Sequence, residues 1–133
     1  MKLHHIGIVC DESDINKFIF RPKKKNIYFD NVQNNKLVIE YNPYNKLWME
    51  FVIPKNEKST VYKYLIKNGP GVHHFAYHTE NIVNEKKKLL KNSGCIFIKS
   101  FKIEIPCFGG MINTMFFFNN NFFIELLQNV NKK

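Results

Sequence analysis

The sequence predicts an α+β protein made of two β-α-β-β-β modules, residues 1–54 and 72–129, joined by a connector at 55–71 within a single domain. Three observations lead there. Short β-branched apolar runs bounded by Asn and Gly recur along the chain, and each group of them is interrupted by one helix-like stretch. HHIGIV at 4–9 returns as HHFAYH at 73–78. WMEFVIP at 48–54 returns as FIELLQN at 123–129, so the opening and closing strands of one module reappear in the other.

The elements follow in order. LHHIGIV, at 3–9, reads as a strand. Asp11, Glu12, Ser13 and Asp14 then offer N-caps to a short helix carrying Ile15, Phe18 and Ile19, which Arg21-Pro22 stops. NIYFDN, KLVIEYN and KLWMEFVIP are separated by Asn-rich turns and form a meander. The connector holds one or two helical turns, capped by Ser59 or Thr60 and ended by Gly69-Pro70-Gly71. VHHFAYH opens the second module. Thr79 or Asn81 caps a helix bearing Ile82, Leu89 and Leu90, and Asn92-Ser93-Gly94 closes it. CIFIKSFKI, MINTMFFF and NFFIELLQ complete the set of strands.

A chain of 133 residues with thirteen Phe and six Tyr has the size and the side chains to bury a core. Nothing in it reads as a leader peptide or a membrane span, so a soluble, cytoplasmic protein without membrane partners is expected. Cys10, Cys95 and Cys107 are odd in number and widely spaced, which predicts idle or buried thiols rather than disulfides or a thiolate metal site. The formal charge of +9 comes from lysines with a single Arg21. The runs Lys23-Lys24-Lys25 and Lys86-Lys87-Lys88 read as solvated faces, not a nucleic-acid surface, and the excess suits an anionic substrate such as a coenzyme A thioester.

Within each module a His on the first strand is followed by a Glu on the last: His5 with Glu50, and His74 with Glu125. Alone, such a His is commonly a hydrogen-bonded core residue and such a Glu a solvent-facing one. Repetition at equivalent places favours a shared purpose. Two imidazoles and two carboxylates suit a divalent cation such as Co, Ni, Zn or Mn, and leave coordination positions for substrate oxygens. Strand alternation sends His4 and His5 to opposite faces, as it does His73 and His74. His78 shares the face of His74 and is a candidate supporting residue. Phe75, Tyr77, Phe116 and Phe118 are candidate pocket residues.

HHIGIV, the segment MEFVIPKNEKSTVYKYLIKNGPGVHHFAYHTENI, GGMINTMFFF and FFIELLQ together resemble the vicinal-oxygen-chelate superfamily (glyoxalase, bleomycin resistance protein, dioxygenase), and within it the methylmalonyl-CoA epimerases most. The resemblance implies a cupped eight-stranded mixed sheet of glyoxalase-like fold and a homodimer. It places metal ligands at His5, Glu50, His74 and Glu125. It also implies proton abstraction alpha to a carbonyl through an enolate, with Glu125 as first-choice catalytic base and Glu50 its counterpart. Two positions depart from the epimerase pattern. Epimerases carry Gln where this chain has Glu50, and a Glu there is similar to glyoxalase I, the lactoylglutathione lyase. An epimerase acid/base Glu falls near Leu37, with Gln33 and Glu40 close by. Other members of the superfamily supply two further alternatives: an Fe(II) dioxygenase using His5, His74 and Glu125, or a non-catalytic small-molecule binder.

Overall fold

The computed structural model describes residues 1–18, 26–92, 94–120 and 122–130. It contains eight strands and two α-helices: β1 (Lys2–Val9), β2 (Asn26–Asp30), β3 (Asn35–Asn42), β4 (Leu47–Pro54), α1 (Tyr62–Asn68), β5 (Gly71–His78), α2 (Ile82–Asn92), β6 (Ile96–Ile105), β7 (Gly110–Asn119) and β8 (Phe122–Asn129). The strands form a mixed sheet in the order β2-β3-β4-β1-β5-β8-β7-β6. β1 pairs β4 and β5 pairs β8 in parallel, and the hairpins β2/β3, β3/β4, β6/β7 and β7/β8 are antiparallel. The α+β class and the repeated strand pattern are those expected from the sequence. The chain divides into two compact units, His5–His73, and Met1–His4 with His74–Lys133. Among the described residues no helix is long and apolar enough to cross a membrane.

In the unit His5–His73, Ile8, Cys10, Ile15, Val38, Phe51 and Ile53 bury themselves on one face of the strands, with Ile6, Phe18 and Met49 packed against them. The helix expected after β1 is a single 3-10 turn, Ile15–Lys17. Asp14 does not cap it, because the acidic loop closes on itself: Asp11 Oδ1 accepts the Ser13 hydroxyl at 2.6 Å and the Asp14 amide at 3.0 Å. Ile19, the Arg21-Pro22 stop and Lys23-Lys24-Lys25 lie outside the described residues. Ser59 does not cap α1 directly. Its hydroxyl donates to Asn35 Oδ1 and accepts the Val61 amide at 3.1 Å, which ties the start of the connector to β3. Gly69, at φ +76°, ends α1 as its position predicts.

In the other unit α2 covers one face of the strands. Ile82, Leu89, Cys95, Phe117 and Leu126 form the core there, joined by Tyr77, Phe97, Met115 and Ile124. Asn81 is the cap, its Oδ1 accepting the Asn84 amide at 3.1 Å. Gln128 adds a clip, accepting the Ile82 amide at 3.0 Å and donating to the Glu80 carbonyl at 2.7 Å. Leu90 departs from expectation and is exposed, because one residue on from Leu89 turns the helix about 100° away from the sheet. Gly94, at φ +65°, follows the helix; its neighbour Ser93 lies outside the described residues. Of the lysine run, Lys86 sits 3.9 Å from the centre of the Phe97 ring and Lys88 lies 3.7 Å from Glu85, so the run is a solvated face braced along its edge. Cys10 and Cys95 are buried, and none of the three cysteines forms a disulfide. Burial, followed by Asp14, pushes the Cys10 thiol up to about 12.

Candidate metal centre

The face of the strands opposite each core cluster carries the repeated His and Glu. In the first, β1 and β4 run parallel with His5 opposite Trp48 and Gly7 opposite Glu50, so all four side-chain positions share a face. His5 Nε2 lies 3.7 Å from Glu50 Oε2. In the second, β5 and β8 repeat this register, with His74 opposite Phe123 and Ala76 opposite Glu125. His74 Nε2 lies 3.2 Å from Glu125 Oε1. A small residue, Gly7 or Ala76, therefore stands beside each Glu.

All four side chains are buried, with His5 0% and His74 2% exposed. Among the described residues they form a group able to hold a metal ion, with one ligand atom from each lying within 4.8 Å of all the others. The spacing suits that use. Bonds of about 2.1 Å put neighbouring ligand atoms about 3.0 to 3.4 Å apart. The His74–Glu125 pair falls within this range at 3.2 Å and the His5–Glu50 pair lies beyond it at 3.7 Å, and two imidazoles with two carboxylates match divalent cations of the Zn, Co or Ni kind.

The neighbouring strands distinguish the halves. Thr114 on β7 is 1% exposed, and its Oγ1 donates to Glu125 Oε2 at 2.8 Å. One carboxylate oxygen thus faces His74 while the other is held by a hydroxyl. Phe116 stands directly opposite Glu125 and meets the His74 ring edge-on at 5.4 Å. In the first unit the positions equivalent by register are apolar: Ile39 stands opposite Glu50, and Leu37 opposite Val52, where Thr114 stands opposite Leu127. Leu37, at the place of the implied acid/base, is buried on the Glu50 face. Glu40 stands opposite Met49 on the reverse face, and Gln33 donates through Nε2 to Asp30 Oδ2 at 2.8 Å. Neither substitutes for a carboxylate at Leu37.

Strand alternation sorts the remaining candidates. His73 packs against Tyr64 with ring centres 4.7 Å apart, and His4 against Phe108 at 4.6 Å. His78 Nε2 is 3.1 Å from Asn129 Oδ1, a structural role at the strand end. Phe116 and Phe118 lie on the Glu125 face, as Phe118 does with Phe123 at 5.1 Å. Phe75 and Tyr77 do not. Odd-numbered on β5, they turn away from His74, Phe75 to Phe122 at 5.6 Å and Tyr77 to the core under α2. Sequence reasoning missed Thr114. Its only signal is a lone hydroxyl in the run MINTMFFF, two residues from the aromatic that faces Glu125.

No protein-family model matches the chain, and no curated protein matches it. Solved structures do. The chain shares its fold, a mixed eight-stranded sheet with two helices, with solved methylmalonyl-CoA epimerases. The structures that carry this likeness include methylmalonyl-CoA epimerase from Mycobacterium tuberculosis, at TM-score 0.76 and 18% identity over 98% of this chain and 89% of that one. A hypothetical protein from Bacillus halodurans aligns at TM-score 0.74 and 22% identity over 99% and 96%. A variant of Streptomyces coelicolor methylmalonyl-CoA epimerase, in complex with 2-nitronate-propionyl-CoA, aligns at TM-score 0.72 and 18% identity over 98% and 99%.

Proposed function

We propose that the chain is a metal-dependent enzyme that removes a proton alpha to the carbonyl of a small acyl substrate, in the manner of methylmalonyl-CoA epimerase, and that it works as a homodimer. The buried group of His5, Glu50, His74 and Glu125 carries the reading, since two imidazoles and two carboxylates each offer a ligand atom within 4.8 Å of the others. These four would be the ligands. A divalent cation held there supplies Lewis acidity toward a substrate carbonyl oxygen.

The chain's own residues do the rest. A Glu125 carboxylate oxygen accepts the α-proton, the C–H electron pair passes to the carbonyl as an enolate, and the Thr114 hydroxyl keeps the carboxylate turned toward the site. Inversion needs the second proton to arrive on the other side of the enolate; Glu50 would be the counterpart that delivers it, having first taken that proton from water. The acyl-CoA complexes among the similar structures support a thioester as substrate. The experiment is to load the protein with cobalt or nickel, supply one enantiomer of methylmalonyl-CoA in deuterated water and follow deuterium at the α-carbon. Absence of exchange removes the epimerase reading.

Leu37 and Glu50 favour a second reading. With leucine at the implied acid/base position and Glu rather than Gln at 50, Glu125 alone would move the proton between adjacent carbons, as in glyoxalase I. Turnover of the hemithioacetal of methylglyoxal and glutathione, with no exchange on methylmalonyl-CoA, selects it.

A further inference from the structure

The duplicated scaffold supplies an internal comparison for a residue outside the ligand group. On β6, Lys99 stands opposite Phe116, which stands opposite Glu125, so the three lie in one row across β6, β7 and β8 and share a face. The corresponding row of the other unit is Asn26, Ile39 and Glu50. The fold therefore accepts a short neutral side chain at this place, and a lysine there is not a requirement of the architecture.

The ammonium is also placed. Lys99 Nζ lies 5.4 Å from the centre of the Phe116 ring and 5.5 Å from that of Phe101. Those rings stack nearly parallel, 11° apart with centres at 6.0 Å, and Phe116 leans edge-on against His74. Two aromatic faces thus hold a half-buried cation on the same surface as the His74–Glu125 pair. Strands two apart are separated by about 10 Å, which a lysine side chain and a small anionic group can span together.

We infer that Lys99 is the anion-recognition residue of this site, so that the substrate carries a carboxylate or phosphate for its ammonium to meet. The inference rests on the proton-transfer reading for what happens at Glu125, but recognition is measurable without turnover. A carboxylate on the acyl group and the phosphates of coenzyme A present the same chemistry, and the ligands tested separate them.

Binding to the cobalt-loaded protein is measured calorimetrically with methylmalonyl-CoA, propionyl-CoA, and the N-acetylcysteamine thioesters of methylmalonate and propionate. Lys99→Met keeps the apolar stem on the rings and removes the charge. It should weaken the anionic ligands about tenfold or more and leave propionyl-N-acetylcysteamine within about twofold, while Lys99→Arg restores most of the loss. Loss confined to the two methylmalonyl ligands assigns the carboxylate, and loss confined to the two coenzyme A ligands assigns the phosphates. Lys102→Met, on the reverse face of β6, should change none of them. The inference is overturned if wild-type protein shows no preference for the anionic ligands, if Lys99→Met binds all four as wild type does, or if it weakens the uncharged thioester equally. Lys99-dependent binding without deuterium exchange would keep this inference and remove the proton-transfer reading instead.

Discussion

The two halves of this chain share a register and differ in what surrounds the Glu. Beside Glu125 stand a hydroxyl, an aromatic ring and a lysine: Thr114, Phe116 and Lys99. Beside Glu50, at the matching positions, stand Leu37, Ile39 and Asn26. The two His–Glu pairs are equivalent by register, and the flanking strands differ: Glu125 accepts a hydroxyl from Thr114, where the matching position beside Glu50 is Leu37. On the proposed reading this difference assigns proton removal to Glu125 and leaves Glu50 to hold the cation and return the proton.

The largest test of that division is a pair of substitutions. Glu125→Gln should lower deuterium exchange by about 10²- to 10⁴-fold at equal metal content, the usual worth of a general base. Glu50→Gln, which creates the epimerase-like ligand set, should keep deuterium exchange within about tenfold of wild type, because Glu125 alone can remove and replace the proton, while inversion of the carbon is lost. Equal losses at the two positions would erase the asymmetry. Next come the two cores. Phe117 under α2 and Phe51 against the 3-10 turn are both fully buried, and truncation of either to Ala should cost about 3 to 5 kcal/mol by urea unfolding. A much smaller loss at Phe51 would show that the half without a full helix packs loosely.

Thr114→Val should weaken metal binding by about 10- to 100-fold with little change in melting of the metal-free protein, and Thr114→Ser should recover it. Leu37→Thr in the other half should strengthen binding by less, because Glu50 Oε2 already faces His5 at the longer distance of 3.7 Å. The smallest effect concerns Cys10. Its folded thiol titrates at about 12 against an ordinary 9.0, so folding favours the protonated form. That stability is complete below pH 9 and is lost as the pH climbs toward 12, a decline that Cys10→Ala should flatten in denaturation curves taken across that range.

Much of this was legible in the sequence because the signals repeat. His5, Glu50, His74 and Glu125 stood out by equivalence alone, and strand alternation then assigned His4 and His73 to the reverse face. Where a signal occurs once, reading failed. A threonine in a strand is ordinary, so Thr114 carried no mark until β7 was registered against β8. Asp14 looked like a helix cap but spends its hydrogen bonds on Asp11, a choice between two local partners that composition does not decide. Phe75 and Tyr77, expected in the pocket from strand parity, sit on the helix side, because their odd numbering on β5 sets them opposite in face to His74.

The Gln128 clip bears on the order of folding. α2 has eleven residues, too few to persist alone in water, and its first amide is satisfied by a side chain from β8, 46 residues further along the chain. Helix formation and docking of the last strand are thereby made one event. In refolding experiments Gln128→Ala should slow the appearance of helical signal together with β8 protection, and leave the hairpin of β2 and β3 to form at its own rate.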